Sequence, residues 1–237
     1  MKQVINSFAE GVKDGIPIGL GYLSVSFTFG MMAVSMGIPL EVAVLISLTN
    51  LTSAGQFAGL ELLMVNGAYI EMAMTQFIIN LRYALMSLSL SQKVDSKLNG
   101  SDRALIAYAI TDEIFALASN KEGRIGKTYF VGLASIPILG WTLGTLIGGG
   151  ASQLLPLGIR SCLQIAIYGM FLAIIIPPAK KMRSLRIVIL FSALLSCLLT
   201  FINTYFSIGS GFIIILCTVI TAGLAAYFFP IKEASHD

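Results

Sequence analysis

Residues 187–231 contain no lysine, arginine, aspartate or glutamate, and that stretch restricts the folds open to this chain more than any other feature. Two others resemble it: residues 128–179 hold one charge, Arg160, and residues 16–90 hold four, Glu41, Glu61, Glu71 and Arg82. A helix needs roughly 20 apolar residues to cross the hydrocarbon core, so each stretch exceeds one span. Backbone amides left unpaired in lipid are costly, which confines spanning structure to helices or a closed barrel. Barrel strands alternate apolar and polar residues over about 10 positions, whereas residues 185–201 are apolar at both parities. Helices are therefore predicted. The chain is 11% charged, against about 25% in soluble domains, too little to coat a water-facing surface.

The expected fold class is all-α, a polytopic transmembrane helical bundle. Eight apolar segments are read, at residues 16–36, 40–65, 68–90, 104–119, 128–149, 160–177, 186–203 and 209–229, within one integral membrane transport domain spanning residues 1–237. Pro39, Pro156 and the Pro177-Pro178 pair fall where segments end, as suits a residue that cannot continue a helix. Residues 16–36 run on into further apolar sequence, so they read as a retained span rather than a cleaved leader. Cys162, Cys197 and Cys217 lie in apolar runs without CxxC spacing and read as packing residues.

The net charge of +3 comes from short basic clusters between apolar runs, which read as topology signals and not as a nucleic-acid surface. They lie at Lys2 and Lys13, at Lys93, Lys97 and Arg103, at Lys121, Arg124 and Lys127, and at Lys180, Lys181, Arg183 and Arg186. Eight full crossings from a cytoplasmic N-terminus would put the cluster after the third segment outside, against the positive-inside tendency. Two incomplete segments resolve the conflict. The fourth is short and carries Thr111, Asp112 and Glu113, so it is expected to dip in and return. The second is interrupted by Asn50, Thr52, Ser53, Gly55 and Gln56. A weak echo between Gly37-Ile38-Pro39-Leu40 and Leu155-Pro156-Leu157-Gly158 hints at internal symmetry, which in transporters places broken helices at the substrate site.

An ionisable group at membrane depth costs from about 3 to more than 10 kcal/mol, so it marks a partner or a wet cavity. Three constellations qualify. Thr52-Ser53-Ala54-Gly55-Gln56-Phe57 offers a backbone break at Gly55 and polar groups for a zwitterion, with small-residue helix packing as the alternative. In the third segment Glu71, Gln76, Asn80 and Arg82 stand among apolar residues. Gln76 and Asn80 share a helix face, while Arg82 lies about 200° around from Asn80. A guanidinium matches a carboxylate, though a buried ion pair would serve equally well as a structural lock. The third constellation is Thr111-Asp112-Glu113: one carboxylate pairs with Arg82 while the other meets an ammonium group or a proton, or the motif is simply a helix cap. Arg82, Asp112 and Glu113 are expected to face an enclosed solute cavity.

Enzymatic chemistry finds little support, because the sole histidine is His236 in the terminal tail and Gly209-Ser210-Gly211 has no base beside it. No metal cluster or nucleotide loop is present in the sequence, and no cofactor is expected. Trp141 with Gly140, Gly144, Gly148 and Gly149 reads as helix packing.

Ala54-Gly55-Gln56-Phe57, Asn80-Leu81-Arg82 and Thr111-Asp112-Glu113, with Gly15-Ile16-Pro17 and a following Phe27/Gly30 stretch, resemble in order and spacing the AzlC family of bacterial branched-chain amino acid exporters. The resemblance implies the large permease subunit of a two-component exporter in the bacterial cytoplasmic membrane. It implies a small AzlD-type membrane subunit as partner and neutral amino acids such as leucine, isoleucine, valine and methionine as substrates. Together with the constellations above, it makes Ser53, Gly55, Gln56, Phe57, Gln76, Asn80, Arg82, Asp112 and Glu113 the candidate substrate-binding residues. An apolar pocket near Phe57, Phe77 and Phe115 would take the aliphatic side chain, and proton antiport would drive export. Lipid is the surrounding partner, a homo-oligomer stays open, and a channel or a non-transporting scaffold subunit are the competing readings.

Overall fold

The computed structural model describes residues 4–152, 154, 158, 172, 175–177, 179–206 and 209–229. A short strand β1 (Val4–Ile5) leads into α1 (Phe8–Ser35), α2 (Leu40–Thr49), α3 (Ser53–Met64), α4 (Tyr69–Ser91), α5 (Gly100–Tyr108) and α6 (Asp112–Asn120). A second strand, β2 (Arg124–Ile125), precedes α7 (Lys127–Ala151), α8 (Arg183–Phe206) and α9 (Ser210–Phe228). Among the described residues four helices are long and apolar enough to cross a membrane: α1, α7, α8 and α9. The chain is thus a helical membrane protein, and of the eight expected apolar segments the second and the fourth each form two short helices. Most of the expected sixth segment, with Cys162, lies outside the described residues, as do His236 and most of the Leu155-to-Gly158 echo.

Contacts divide the chain into two compact units, one of Met1–Phe57 with Ile79–Ile167 and one of Ala58–Ile78 with Tyr168–Asp237, so the boundary cuts through α3 and α4. The first is organised by α1 and α7, which run side by side in the same direction. Gly15 faces the backbone of Leu133, Gly19 faces Gly140, Phe27 faces Gly148, and Gly30 faces Thr145. Any Cβ on these glycines would meet backbone atoms of the other helix. Small residues permit this approach, and in lipid such close packing replaces the hydrophobic drive that water would supply. The packing role read for the α7 glycines and Trp141, which is 2% exposed, is what the structure displays.

Helix α1 begins earlier than the sequence pattern indicates. Ser7 accepts the Glu10 N–H at 3.4 Å as an N-cap, and Lys121 pairs with Glu10 at 2.8 Å and Asp14 at 2.6 Å. Neutralised there, two acids continue the helix below the apolar run. Those two carboxylates also hold the Lys121 ammonium above the usual lysine range, mainly through the hydrogen bond to Asp14.

One end of this unit gathers three chain segments. β1 pairs in parallel with β2, the Asp95 N–H donates to the Ile125 carbonyl at 2.9 Å, and the Ile125 N–H donates to the Lys93 carbonyl at 3.0 Å. The chain therefore leaves this end after α4 and has returned to it by β2. The expected fourth span is a re-entrant pair, α5 and α6, broken at residues 109–111, and the basic clusters on either side of it share one end. The expected second span is likewise two short helices, but the break falls at residues 50–52 and Gly55 sits inside α3. Asn50 adopts an extended backbone (φ −137°, ψ 101°) that stops α2, and no such change occurs at Gly55.

In the second unit α8 packs on α9, where the Ser192 hydroxyl lies 3.7 Å from the Cys217 sulfur. Leu190, Leu194, Leu198 and Phe201 of α8 face outward, as a lipid-facing stripe requires.

Candidate functional site

The two helix breaks of the first unit are built alike. Each second half opens on a threonine, 2% exposed, whose hydroxyl accepts the N–H three residues on: Thr52 from Gly55 and Thr111 from Ile114, both at 3.4 Å. Threonine serves as an N-cap because its oxygen satisfies an amide the helix cannot. The breaks also touch. The Tyr108 hydroxyl, at the end of α5, donates to the Leu48 carbonyl in the last turn of α2, an acceptor without an intrahelical partner. Irregular backbone at membrane depth is tolerated where protein or a water-lined cavity satisfies it. Two such interruptions in contact mark the polar centre of this unit.

The charged groups converge there. Arg82 is the fourteenth residue of the 23-residue α4, roughly 20 Å from its start at 1.5 Å per residue. Its guanidinium pairs with Asp112 at the first position of α6, lies 4.9 Å from the Tyr83 ring centroid and reaches the Tyr83 hydroxyl at 3.2 Å. Glu113, the next residue, accepts the Tyr22 hydroxyl of α1 at 2.5 Å, and that hydroxyl also contacts the Thr111 oxygen at 2.7 Å. Both carboxylates occupy the first turn of α6, where the helix dipole favours negative charge by about 0.3–1 kcal/mol each. The arrangement is open on one side: the Arg82 and Asp112 side chains are 42% and 45% accessible. Glu113 borders a cleft of about 620 Å³ shared with Asp14, Ile18 and Lys121. The enclosure expected from sequence is therefore incomplete, because the short α5 and α6 cover only part of the pair.

Behind the pair runs a buried polar chain. The Tyr22 ring stands edge-on to Trp141, with centroids 5.3 Å apart. The Trp141 indole N–H donates to Gln56 Oε1 at 2.8 Å, the Gln56 amide donates to the Ser47 hydroxyl at 3.0 Å, and Ser47 meets Thr145 at 2.7 Å. Both ends of the Gln56 amide are thus engaged by α2 and α7. Phe57 is 5% exposed and packs edge-on against Phe29 at 5.5 Å. Ser53, at the start of α3, keeps a buried hydroxyl oxygen that meets no hydrogen-bond partner among the described residues.

Of the residues singled out from sequence, Arg82, Asp112 and Glu113 come together as anticipated, and Ser53, Gly55, Gln56 and Phe57 share one helical stretch beside the breaks. Helix α4 stays continuous through residue 91, so Gln76 and Asn80 keep one face and Arg82 another. Gln76 and Phe77 belong to the second unit, where Phe77 is exposed; Phe115 is partly buried against the first unit's core. Sequence reasoning missed Tyr22, Tyr108 and Ser47. A legible signal existed: Ile16-Pro17-Ile18 and Ile136-Pro137-Ile138 recur at the 120-residue separation that also relates Val4 to Arg124 and Ile5 to Ile125 in the strand pair. That repeat announces that α1 and α7 are equivalent helices, and so that residues midway along α1 belong to the centre. Among the described residues no three of His, Cys, Asp and Glu are grouped to hold a metal ion.

Paired helix breaks around a charge pair, in a multi-pass helical membrane protein, define a membrane transport protein by class. The sequence matches the family described as AzlC protein over residues 17–155, more than half of the chain. It is 29% identical over 232 residues to the inner membrane protein YgaZ of Escherichia coli K12, covering 94% of this chain and 92% of that one. It is also 28% identical over 175 residues to an uncharacterized membrane protein of Archaeoglobus fulgidus, covering 73% and 76%. A membrane protein of Helicobacter pylori, likewise uncharacterized, is 30% identical over 152 residues, covering 62% and 65%. No solved structure matches. The chain belongs to the AzlC family.

Proposed function

We propose that this protein exports branched-chain or other neutral amino acids of the leucine, isoleucine, valine and methionine class across the bacterial cytoplasmic membrane, as one transport domain driven by the proton gradient and working with a small AzlD-type membrane subunit. The observation that carries the reading is the Arg82–Asp112 pair beside Glu113 at the meeting point of two broken helices. A neutral amino acid is itself a tethered ion pair. Its carboxylate can take the Arg82 fork and its ammonium can take Asp112, so the solute inserts into an existing pair and total charge does not change. Empty and loaded sites then carry the same net charge. Glu113, held by Tyr22, offers the ammonium a second acceptor. Ser53, Gly55, Gln56 and Phe57, at the capped start of α3 beside the breaks, are assigned to the solute's surroundings. Asn80 and Gln76 lie on another face of α4 from Arg82.

The test is uptake of labelled valine, leucine and methionine into vesicles containing the reconstituted protein, with and without the small subunit. Arg82→Ala, Asp112→Asn and Glu113→Gln are expected to cut exchange by about 10-fold or more, the loss when a charge-assisted hydrogen bond to the solute worth at least about 1.5 kcal/mol is removed. Saturable counterflow marks a carrier. Undiminished exchange in folded Arg82→Ala protein would remove the reading.

A further inference from the structure

Among the described residues one charged side chain is essentially excluded from the surroundings, and it is not part of the Arg82 site. Glu71, in the first turn of α4, is 5% exposed. Its carboxylate Oε1 accepts the Gly211 N–H of α9 at 2.6 Å. Two glycines make room for it: a Cβ at Gly209 or Gly211 would run into the carboxylate. The other oxygen, Oε2, lies toward Gly67 in the turn between α3 and α4. Beside them stands Thr75, one helical turn along α4. It is 0% exposed, its hydroxyl oxygen has no hydrogen-bond partner among the described residues, and it borders the same Gly211 position as Glu71. All of these groups belong to the second unit.

Among the described residues the carboxylate has one amide donor and one end of a helix dipole to hold its charge, while the Thr75 hydroxyl oxygen stands beside it without a hydrogen-bond partner. A protonated carboxyl has the opposite need. Its O–H requires an acceptor, which the Thr75 oxygen supplies, and its hold on the Gly211 N–H weakens because a neutral acceptor binds an amide less strongly than an ionised one. The α3–α4 turn and the first turn of α9 bring no other titratable side chain. On the helices around it, Glu61 of α3 and Tyr69 of α4 are exposed, Arg183 and Arg186 stand at the start of α8, and Cys217 bonds to Ser192.

We propose that Glu71 is the proton-binding carboxylate of the transport cycle, and that its protonation, received by Thr75, loosens the start of α9 from α4. The inference rests on the proton-driven reading above and assigns its coupling group, leaving Asp112 and Glu113 to the solute. One proton is taken up from water and later released, and no other bond is made or broken.

The direct test needs no solute. In lipid nanodiscs, amide hydrogen exchange at residues 209–213 is followed across the acid and neutral range, with the intrinsic pH dependence divided out. The full-length protein is expected to lose about tenfold protection at Gly211 as pH falls, the difference between an ion-assisted bond and a neutral one. Glu71→Gln, a neutral acceptor at every pH, should show the lower protection throughout, without a pH step. Thr75→Val, which removes the proton's acceptor, should move the step to lower pH. A step that survives in Glu71→Gln, a flat profile in the unaltered protein, or protection governed by sodium in place of pH would overturn the assignment. Vesicle transport separates this idea from its parent. If the unaltered protein ignores an imposed pH gradient, proton coupling itself fails. If it responds and Glu71→Gln responds equally, only the Glu71 assignment falls. Loss of gradient-driven accumulation with valine exchange retained in Glu71→Gln supports it.

Discussion

Replacing Trp141 with phenylalanine removes the indole hydrogen bond and part of a buried ring, which tests the buried chain behind the charge pair. Gln56 is 3% exposed and Trp141 2% exposed, and the indole N–H meets Gln56 Oε1 at 2.8 Å. In Trp141→Phe that oxygen loses its donor in a place water does not reach, at a cost of about 1–3 kcal/mol. A smaller ring adds a partial cavity, although the edge-on contact with Tyr22 survives in part. The expected loss is about 2–3 kcal/mol, which for a chain of this size lowers Tm by roughly 4–10 °C. The single tryptophan is lost, so unfolding is best followed by circular dichroism or by a dye reacting with the buried Cys217. Gln56→Leu should cost a similar amount, because it strands the indole N–H. The double variant, with both partners apolar, should be less destabilised than the sum by about 1–2 kcal/mol. Additivity to within about 0.5 kcal/mol would refute the argument, since it would mean that the two groups do not depend on each other.

Three other perturbations follow from the same geometry. Gly140→Val places a branched side chain against the Gly19 backbone, which has no freedom to withdraw, and should cost at least about 1–3 kcal/mol, read as lost folded yield in detergent. Cysteines introduced at Asp95 and Arg124 should be labelled from the same side of the membrane, as the Asp95-to-Ile125 hydrogen bond requires; labelling from opposite faces would contradict the re-entrant α5–α6 pair. The raised Lys121 ammonium contributes stability that is complete below the ordinary lysine range and is lost as pH climbs through its higher folded value. Lys121→Met should therefore flatten the alkaline limb of a pH–stability curve and leave the neutral region's slope unchanged.

The re-entrant segments show how far sequence carries and where it stops. The positive-inside conflict pointed to the second and fourth segments as incomplete, because charge placement along a chain is a one-dimensional property that topology must satisfy. The position of the first break was misjudged. Glycine at residue 55 suggested flexibility, but a buried threonine cap at residue 52 decides where the second helix starts, and capping depends on hydrogen bonds that sequence only hints at. Arg82 and Asp112 were legible as partners because an isolated charge at membrane depth is intolerable and few opposite charges were available. Tyr22 was not legible: a tyrosine in a long apolar helix looks like any other until α6 is brought against α1.

Sequence alone determined that this chain lives in a membrane as helices, since a shortage of charge over such lengths permits nothing else in lipid. It also determined which few polar side chains would have to find partners. Tertiary structure decided which partners they found: α1 beside α7 through facing glycines, two helix breaks joined by Tyr108, and Glu71 set against the start of α9 within its own unit. Those choices depend on close approach between segments far apart in the chain, and hydropathy, which averages over neighbours in sequence, holds no record of that.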